Sequence, residues 1–294
     1  MKDNFFKYQR DYGGVLMSSF NCAVCHCNNH KLLHSLEYGT LLSCQCCGVV
    51  AFSPRPTDEE LQAFYNSGYH DDFSKSAMAD TLFAQNRYQA LEKVLRRYAP
   101  DLVATPRQTL LDVGCGTGDF LMAAQQADWS VTGTDLATAA VERANQKIGG
   151  KVFQGDITVL DLPSCAYDLI TSYHVIEHLL EPVTQLRRCY ELLTTGGVLF
   201  LETPNIGSLG ARLRGKQWSH IIPPEHIIYF SPFSLKYALN QAGFERVIVY
   251  TTAPQVVERT AHWPFPLKKM ADFIYQIVPH IGLGAAVQAI AFKP

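Results

Sequence analysis

The chain has almost no net charge. Its 25 lysines and arginines stand against 27 acids, leaving −2 at neutral pH over 294 residues. So balanced a composition gives no electrostatic footprint for a polyanion, and no lysine- and arginine-rich arm compensates for it. Nucleic acid is therefore not expected as a partner. Long uninterrupted apolar runs are also lacking. The opening Met1-Lys-Asp-Asn-Phe-Phe-Lys7 is too polar for a secretory leader. The apolar run within 255–282 is broken by Asp272, Pro279 and His280, which makes it a poor membrane span. A cytoplasmic protein is expected. Apolar residues as such are plentiful at 47%, enough for the core of one large domain with something smaller beside it.

Cysteine is unevenly spread: six of nine fall within residues 22–47. Cys22-Ala-Val-Cys25 and Cys44-Gln-Cys-Cys47 are two Cys-x-x-Cys knuckles with eighteen residues between them. Each knuckle offers two thiolates on one side of a tight turn, the spacing of a structural zinc site. The expected ligands are Cys22, Cys25, Cys44 and Cys47. His26 is a substitute for one of them, and Cys27 and Cys46 are spare, since thiols in a reducing compartment seldom pair. So short a segment buries little core, and a metal would supply its folding energy. The alternative is a cluster of free thiols.

Phe52-Ser-Pro-Arg-Pro56 reads as an extended connector, and Thr57 with Glu60 as the capping box of a short helix. Ser76 to Tyr98 reads as a longer helix with Leu82, Tyr88, Leu91, Val94 and Leu95 near helical spacing, ended by a loop between Pro100 and Pro106. Thr109-Leu-Leu-Asp-Val-Gly-Cys-Gly-Thr-Gly118 then sets three apolar residues, Leu110, Leu111 and Val113, around an acid before a Gly-x-Gly-x-Gly turn, followed by a helical pattern. That is a buried strand, a sharp turn and a helix N-terminus, the start of a nucleotide-binding α/β unit. A dinucleotide fingerprint would place its third glycine one position later, at Asp119. Strands are expected next at 129–135, 151–156, 167–172 and 198–202, the last after a Gly196-Gly197 turn, with a helix at 137–147. Asp135 closes the second strand, where an acid accepts hydrogen bonds from ribose hydroxyls. Ser231-Pro-Phe caps a further helix, and strands 246–251 and 286–292 pair as a terminal hairpin.

The glycine turn behind Asp112 resembles motif I of the class I S-adenosylmethionine (SAM) methyltransferases. Leu111 to Gly118, Gly133-Thr-Asp135, Gly155-Asp156, His174-Val-Ile-Glu-His178 and Leu193-Thr-Thr-Gly-Gly197 are similar to successive motifs of one subgroup. It holds the ubiquinone-pathway O-methyltransferases and many sugar and natural-product methyltransferases. The cysteine knuckles and the Pro-x-Pro and Phe-Tyr connector resemble a branch with an N-terminal zinc module, similar to the deoxysugar C-methyltransferases. Those enzymes carry a further large C-terminal domain, which is not expected within these 294 residues. The resemblance implies an α/β fold, a Rossmann-like, mostly parallel sheet with a terminal antiparallel hairpin and a small N-terminal zinc module. It implies a zinc-binding module over 1–56, a helical connector or lid over 57–106 that includes Tyr65, Tyr69 and Phe73, and a methyltransferase domain over 107–294. Within that domain the long connection 204–230 is expected to be a substrate lid. SAM is implied at Asp112, Gly114, Cys115, Gly116 and Gly118 of the turn. Asp135 and Leu136 would meet the ribose and Asp156 and Ile157 the adenine, with Tyr173, just after the fourth strand, a further cofactor-binding residue.

Methyl transfer needs orientation and a nucleophile stripped of its proton. Two groups offer a base: His174-x-x-Glu177-His178, and Glu225-His226 behind the stiff Pro223-Pro224. The deoxysugar enzymes carry a matching Glu-His pair, with a tyrosine where Pro223 stands here. The alternative for His226 is plain packing against Tyr229 and Phe230. If a helix begins at His174, then His174, Glu177 and His178 share a face. The ubiquinone-pathway enzymes bind a divalent ion with acids and a histidine at matching places, His174 replacing an acid; the alternative is that these residues orient the loop over SAM. The expected substrate is a small molecule, sugar or glycan, methylated at a hydroxyl or a carbon. Competing readings are an RNA methyltransferase guided by the zinc module, a zinc protease built on His-x-x-Glu-His, and a SAM-binding scaffold without catalysis. No Asn-Pro-Pro-Tyr or Asp-Pro-Pro-Tyr string follows the fourth strand to support the first of these. Residues 255–282, with Lys268-Lys269, read as an interfacial helix on a lipid surface, as ordinary packing, or as a homodimer contact.

Overall fold

The structure is a computed structural model that describes residues 21–57, 60–61, 77–253, 269 and 276–294. Tyr65, Tyr69 and Phe73 lie outside the described residues, as do Trp263, Lys268 and most of the run 255–282. The chain divides into two compact units, each assembled from separated segments. One comprises Met1–Pro56, His174–Val183 and Leu201–Ile290; the other Thr57–Tyr173, Thr184–Phe200 and Ala291–Pro294.

The strands β1 (His30–Leu36), β2 (Gly39–Cys44) and β3 (Val50–Ser53) form an antiparallel meander. Its second turn is the knuckle Cys44–Cys47, closed by hydrogen bonds from Cys44 N–H to Val49 O (2.9 Å) and from Gly48 N–H to Cys44 O (3.0 Å). Thr57 and Glu60 form the expected capping box, at 2.8 and 3.2 Å. The helix α1 (Ala77–Tyr98) buries Ala84, Leu91 and Leu95 on one face. Leu82, expected on that face, is 59% exposed, because it is out of phase with the other three. Pro100, expected in a loop, instead opens a short helix α2 (Pro100–Ala104), where the missing N–H has no partner to lose.

The next alternation is as expected: β4 (Thr109–Val113), α3 (Asp119–Gln126), β5 (Ser130–Asp135), α4 (Thr138–Ile148), β6 (Val152–Gln154) and β7 (Tyr167–Tyr173). β4 pairs in parallel with both β5 and β7, and β5 with β6. Leu110 and Leu111 of β4 are both fully buried, which is why this strand reads as an unbroken apolar run. The chain continues through α5 (Pro182–Leu192), β8 (Leu193–Pro204), α6 (Leu209–Arg214), β9 (Ile228–Tyr229), α7 (Pro232–Gln241), β10 (Arg246–Thr252) and β11 (Ala286–Phe292). The larger sheet has the order β10-β11-β8-β7-β4-β5-β6. Strand order reverses at β4, and in such sheets the ligand crevice opens at that point, outside the carboxyl ends of the strands. The glycine turn lies directly after β4.

Two segments differ from expectation. Gly196-Gly197 is not a turn before the strand but part of β8, because Lys293 N–H and C=O bond to Gly197 O and Gly196 N–H at 3.0 Å each. The connection 204–230, expected to be a loop, holds α6, capped by Ser208, and the strand β9. β9 pairs antiparallel with β3, Val50 opposite Tyr229 and Ala51 opposite Ile228, and completes a small sheet β1-β2-β3-β9. Its core is Leu41, Val50, Phe52, Ala211, Trp218 and Tyr229. A two-residue strand has no period of its own; only its partner makes it a strand. The α7 cap is present as expected, with Ser231 and Ser234 in a reciprocal capping box. Among the described residues no helix is long and apolar enough to cross a membrane.

Candidate functional site

Beyond β4 the chain turns through Gly114, Gly116 and Gly118 with φ of 73°, 53° and 77°, a region that favours glycine. At Gly118 space is a second reason: a Cβ there would lie 2.9 Å from Ala144 Cβ, so glycine lets α3 approach α4. A Cβ at Gly116 would meet nothing within 4 Å, so the backbone is open to an approaching ligand. Asp135 ties the end of β5 to this turn, accepting from Gly116 N–H at 2.8 Å and from Ala137 N–H at 2.9 Å. A carboxylate has about four lone-pair sites, so about two remain for the hydroxyls of a ribose. Leu136 beside it is exposed, whereas Cys115 and Ile157 are buried. Asp156 caps its own turn by accepting from Thr158 N–H at 2.8 Å. Tyr173 packs between Phe120 (5.2 Å) and Phe200 (5.5 Å), with the Arg87 guanidinium 4.3 Å over its ring. An open glycine cradle beside a carboxylate with spare acceptor capacity fits an adenosyl group.

Sequence reasoning missed the residues that steady this turn. Arg188 of α5 donates to the carbonyls of Ile157 (3.2 Å), Leu160 (3.3 Å) and Leu162 (3.1 Å), holding the segment behind Asp156. Thr171 Oγ1 donates to Asp112 Oδ1 at 2.7 Å. Asp112 is 3% exposed, and burial pushes its carboxyl up to about 7 although Thr171 pulls the other way. Its folded pKa is above the unfolded value of 3.8, so its favourable contribution is complete below that value and is lost as pH rises through about 7. Asp112→Asn removes the ionisation. At pH 8 the variant is expected to be more stable in urea than the parent by up to about 4 kcal/mol, the gap closing in acid. Parallel stability curves from pH 4 to 8 would contradict this.

The histidines and acids expected to offer a base fall in the other unit. Ile176–His178 is a single 3₁₀ turn, so His174, Glu177 and His178 do not share the helical face expected of them. A carbonyl that a helix would need is engaged elsewhere, Glu177 O accepting from Ile227 N–H (3.0 Å), while His174 N–H donates to Glu202 O (2.9 Å). His174, at φ 57°, places Nδ1 3.2 Å from Glu177 Oε1 and Nε2 3.3 Å from Glu202 Oε1. Burial opposes charge on His174, but the hydrogen bonds to Glu177 and Glu202 prevail and raise it to about 9. Glu177, 1% exposed, is held down at about 2: burial would raise it, and the bond to His174 together with the fields of His178, His174 and His226 outweighs that. Thr203 Oγ1 donates to its other oxygen at 2.8 Å.

His178 Nδ1 lies 2.8 Å from Glu225 O, and His226 Nδ1 2.9 Å from His220 O. A carbonyl only accepts, so each Nδ1 carries a proton, and Nε2 is the ring nitrogen whose lone pair is left to a neutral imidazole. The two rings meet edge to face at 4.8 Å, and Glu225 Oε1 is 4.0 Å from His226 Nε2. Burial, at 6% exposure, lowers His226 to about 4, so the ring is neutral at neutral pH. Ligand-type atoms of Glu177, His178 and His226 lie within 4.8 Å of one another. His226 thus joins Glu177 and His178 from far along the chain, in the place expected for His174.

In the cysteine module, Cys22 Sγ is 3.5 Å from Cys47 Sγ and Cys25 Sγ 3.5 Å from Cys44 Sγ, all four within 4.8 Å. The bond to Cys47 drives the Cys22 thiol down, while the same bond pushes Cys47 up and burial pushes Cys25 up. A tetrahedral zinc with bonds of about 2.3 Å requires sulfurs about 3.8 Å apart, so the four residues fit the ion. His26 is exposed and outside this group. Cys27 and Cys46, expected to be spare thiols, are joined as a disulfide. The cause is register: His30 pairs with Cys44, which brings the residues before β1 alongside those after β2.

A family model described as a methyltransferase domain matches residues 83–249, more than half of the chain. The ubiquinone biosynthesis O-methyltransferase of Xanthomonas campestris pv. campestris (strain B100) is 34% identical over 127 residues, covering 41% of this chain and 53% of that protein. The malonyl-[acyl-carrier protein] O-methyltransferase of Serratia marcescens is 29% identical over 171 residues, 56% of this chain and 66% of that protein. The chain therefore matches between about half and two thirds of the length of these relatives. A SAM-dependent methyltransferase from Archaeoglobus fulgidus shares the fold, with a TM-score of 0.51 at 23% identity over 70% of this chain and 94% of its own. The strand order, the glycine turn and the family match converge: this chain belongs to the methyltransferase-domain family of class I, SAM-dependent enzymes.

Proposed function

We propose that this protein methylates a hydroxyl or carbon of a small molecule, with sugars and glycans the leading substrate class and His226 as the general base. The observation that carries the reading is the His178–His226 pair, His226 buried and His178 half-buried, each ring held in one tautomer by a backbone carbonyl. SAM, when bound, supplies an electrophilic methyl group and leaves as S-adenosylhomocysteine. The turn Gly114–Gly118 and Asp135 hold the adenosyl moiety, and Asp156 and Ile157 its base. His226 Nε2 takes the acceptor's proton as the new bond to carbon forms, and Glu177 and Glu225 favour the resulting imidazolium. Tyr173 and His174 are consecutive residues, so the donor-binding and proton-accepting segments are covalently continuous. Residues 204–230 serve as the substrate lid and 57–106 as the connector between the zinc module and the catalytic part. Both curated relatives are named as O-methyltransferases, which favours oxygen as the acceptor atom.

The test is incubation with methyl-labelled SAM and separate panels of sugar nucleotides, phenols and carboxylic acids. Label is expected in one panel, with equimolar S-adenosylhomocysteine. Label in RNA alone would favour the nucleic-acid reading, and SAM binding without any turnover the scaffold.

Cys22, Cys25, Cys44 and Cys47 are assigned one structural zinc. Metal analysis is expected to find about one equivalent per chain, as a closed tetrahedral site holds. Cys22→Ser should lose it and still bind SAM. The group Glu177, His178 and His226 supports a second reading, a divalent ion at the catalytic site. A second metal equivalent, lost in His226→Ala and retained in Cys22→Ser, would establish that reading in place of the base.

A further inference from the structure

We infer that the cysteine module positions the catalytic base: its second knuckle sets the β2–β3 hairpin, and β3 holds the chain segment that carries His226. This rests on the reading of His226 as the base. Cys44 is the last residue of β2, and only Gly48 and Val49 separate Cys47 from β3. The knuckle is therefore the hairpin turn itself, and a metal on Cys44 and Cys47 fixes where β3 runs.

The free edge of β3 takes β9, with Val50 opposite Tyr229 and Ala51 opposite Ile228. One step back, Phe52 N–H donates to Ile227 O at 2.8 Å, while Ile227 N–H donates to Glu177 O at 3.0 Å. The residue after His226 is thus bound on one side to the metal hairpin and on the other to the 3₁₀ turn that presents Glu177 and His178. Tyr229, 2% exposed, packs with Leu41, Val50 and Phe52, and its hydroxyl donates to His226 O at 2.8 Å. His178 reaches the same segment through Glu225 O. Residues 218–227 lie in no helix or strand of their own; beyond a local turn in which Glu225 and His226 N–H donate to Ile222 O (3.0 and 3.3 Å), these contacts to β3 and the 3₁₀ turn fix where His226 stands. A module with so little core relies on its metal for rigidity, and that reliance extends through β3 to the base.

The experiment removes zinc from the full chain with a chelator and a dithiol reductant, which also opens Cys27–Cys46, and then restores zinc. Amide exchange at Ile227, Ile228 and Tyr229 and carbethoxylation of His226 are followed by mass spectrometry, together with SAM affinity and turnover on the acceptor class found in the screen. Loss of zinc is expected to expose the three amides, to accelerate carbethoxylation of His226, and to lower kcat by about a hundredfold, the cost of misplacing a reacting group by about 1 Å. SAM affinity should not change, and zinc should restore every reading. Zinc-free protein that keeps these amides protected and His226 unreactive overturns the inference.

Tyr229→Phe tests the route without disturbing the metal. It keeps the ring and loses one hydrogen bond, so zinc content and KM for SAM should stay constant while kcat falls about fivefold. An unchanged kcat would remove Tyr229 from the route. The underlying reading fails separately: full turnover in His226→Gln would show that His226 is not the base, whereas the coupling would still be read by amide exchange.

Discussion

Replacing His226 with alanine is expected to lower turnover by about 10²–10⁴-fold, the usual contribution of a positioned general base, and to leave SAM affinity unchanged. The side chain is 6% exposed, and its Nδ1–H is committed to His220 O, so Nε2 is the atom left for chemistry. In the sequence a histidine is attractive because its ordinary pKa lies near working pH. The folded protein changes that argument: burial lowers His226 to about 4, with Glu177 and the bond to His220 O opposing the effect and His178 adding to it. The free-enzyme pH–rate profile should therefore be level around neutrality and fall only in acid. A loss below about tenfold in the variant would move the base to His178 or to the substrate, given what a general base supplies.

Asp135→Ala should weaken SAM binding by about 2–3 kcal/mol, roughly 30- to 150-fold. Two effects add. The variant loses the acceptor proposed for the ribose hydroxyls, and it frees the Gly116 and Ala137 N–H groups that the carboxylate now holds at 2.8 and 2.9 Å. Asp135→Asn, which keeps one acceptor oxygen, should fall between parent and alanine. Calorimetry decides this without knowledge of the acceptor. Unchanged SAM affinity in Asp135→Ala, or an affinity for NAD above that for SAM, would contradict the assignment.

The sequence by itself determined the features whose causes are local. β4 is apolar on both faces and ends in an acid and three glycines at positive φ, a combination with few conformational alternatives. Asp135 could be placed at a strand end because the strand is bounded by a turn; Asp156, expected to close a strand over 151–156, lies in the turn two residues beyond β6. The two Cys-x-x-Cys knuckles were legible because metal ligands on one turn need fixed spacing. Periodicity served less well for α1, where Leu82 matched the expected face but fell out of phase with Ala84, Leu91 and Leu95.

Tertiary structure alone decided the contacts between residues distant in sequence, which leave no period to read. It made a strand of Ile228–Tyr229 by pairing it with β3, and a disulfide of Cys27 and Cys46 by the register of β1 on β2. It placed Thr171 on Asp112, and Glu202 and Thr203 around His174 and Glu177. The string His174-x-x-Glu177-His178 offered a helical face in the sequence. In the fold, Ile227 N–H takes the Glu177 carbonyl that such a helix would require, His174 sits at φ 57°, the turn closes as 3₁₀, and His226 stands beside His178 instead. A local pattern prevails only while its hydrogen-bonding groups have no better partner, and the competing partners here come from other parts of the chain.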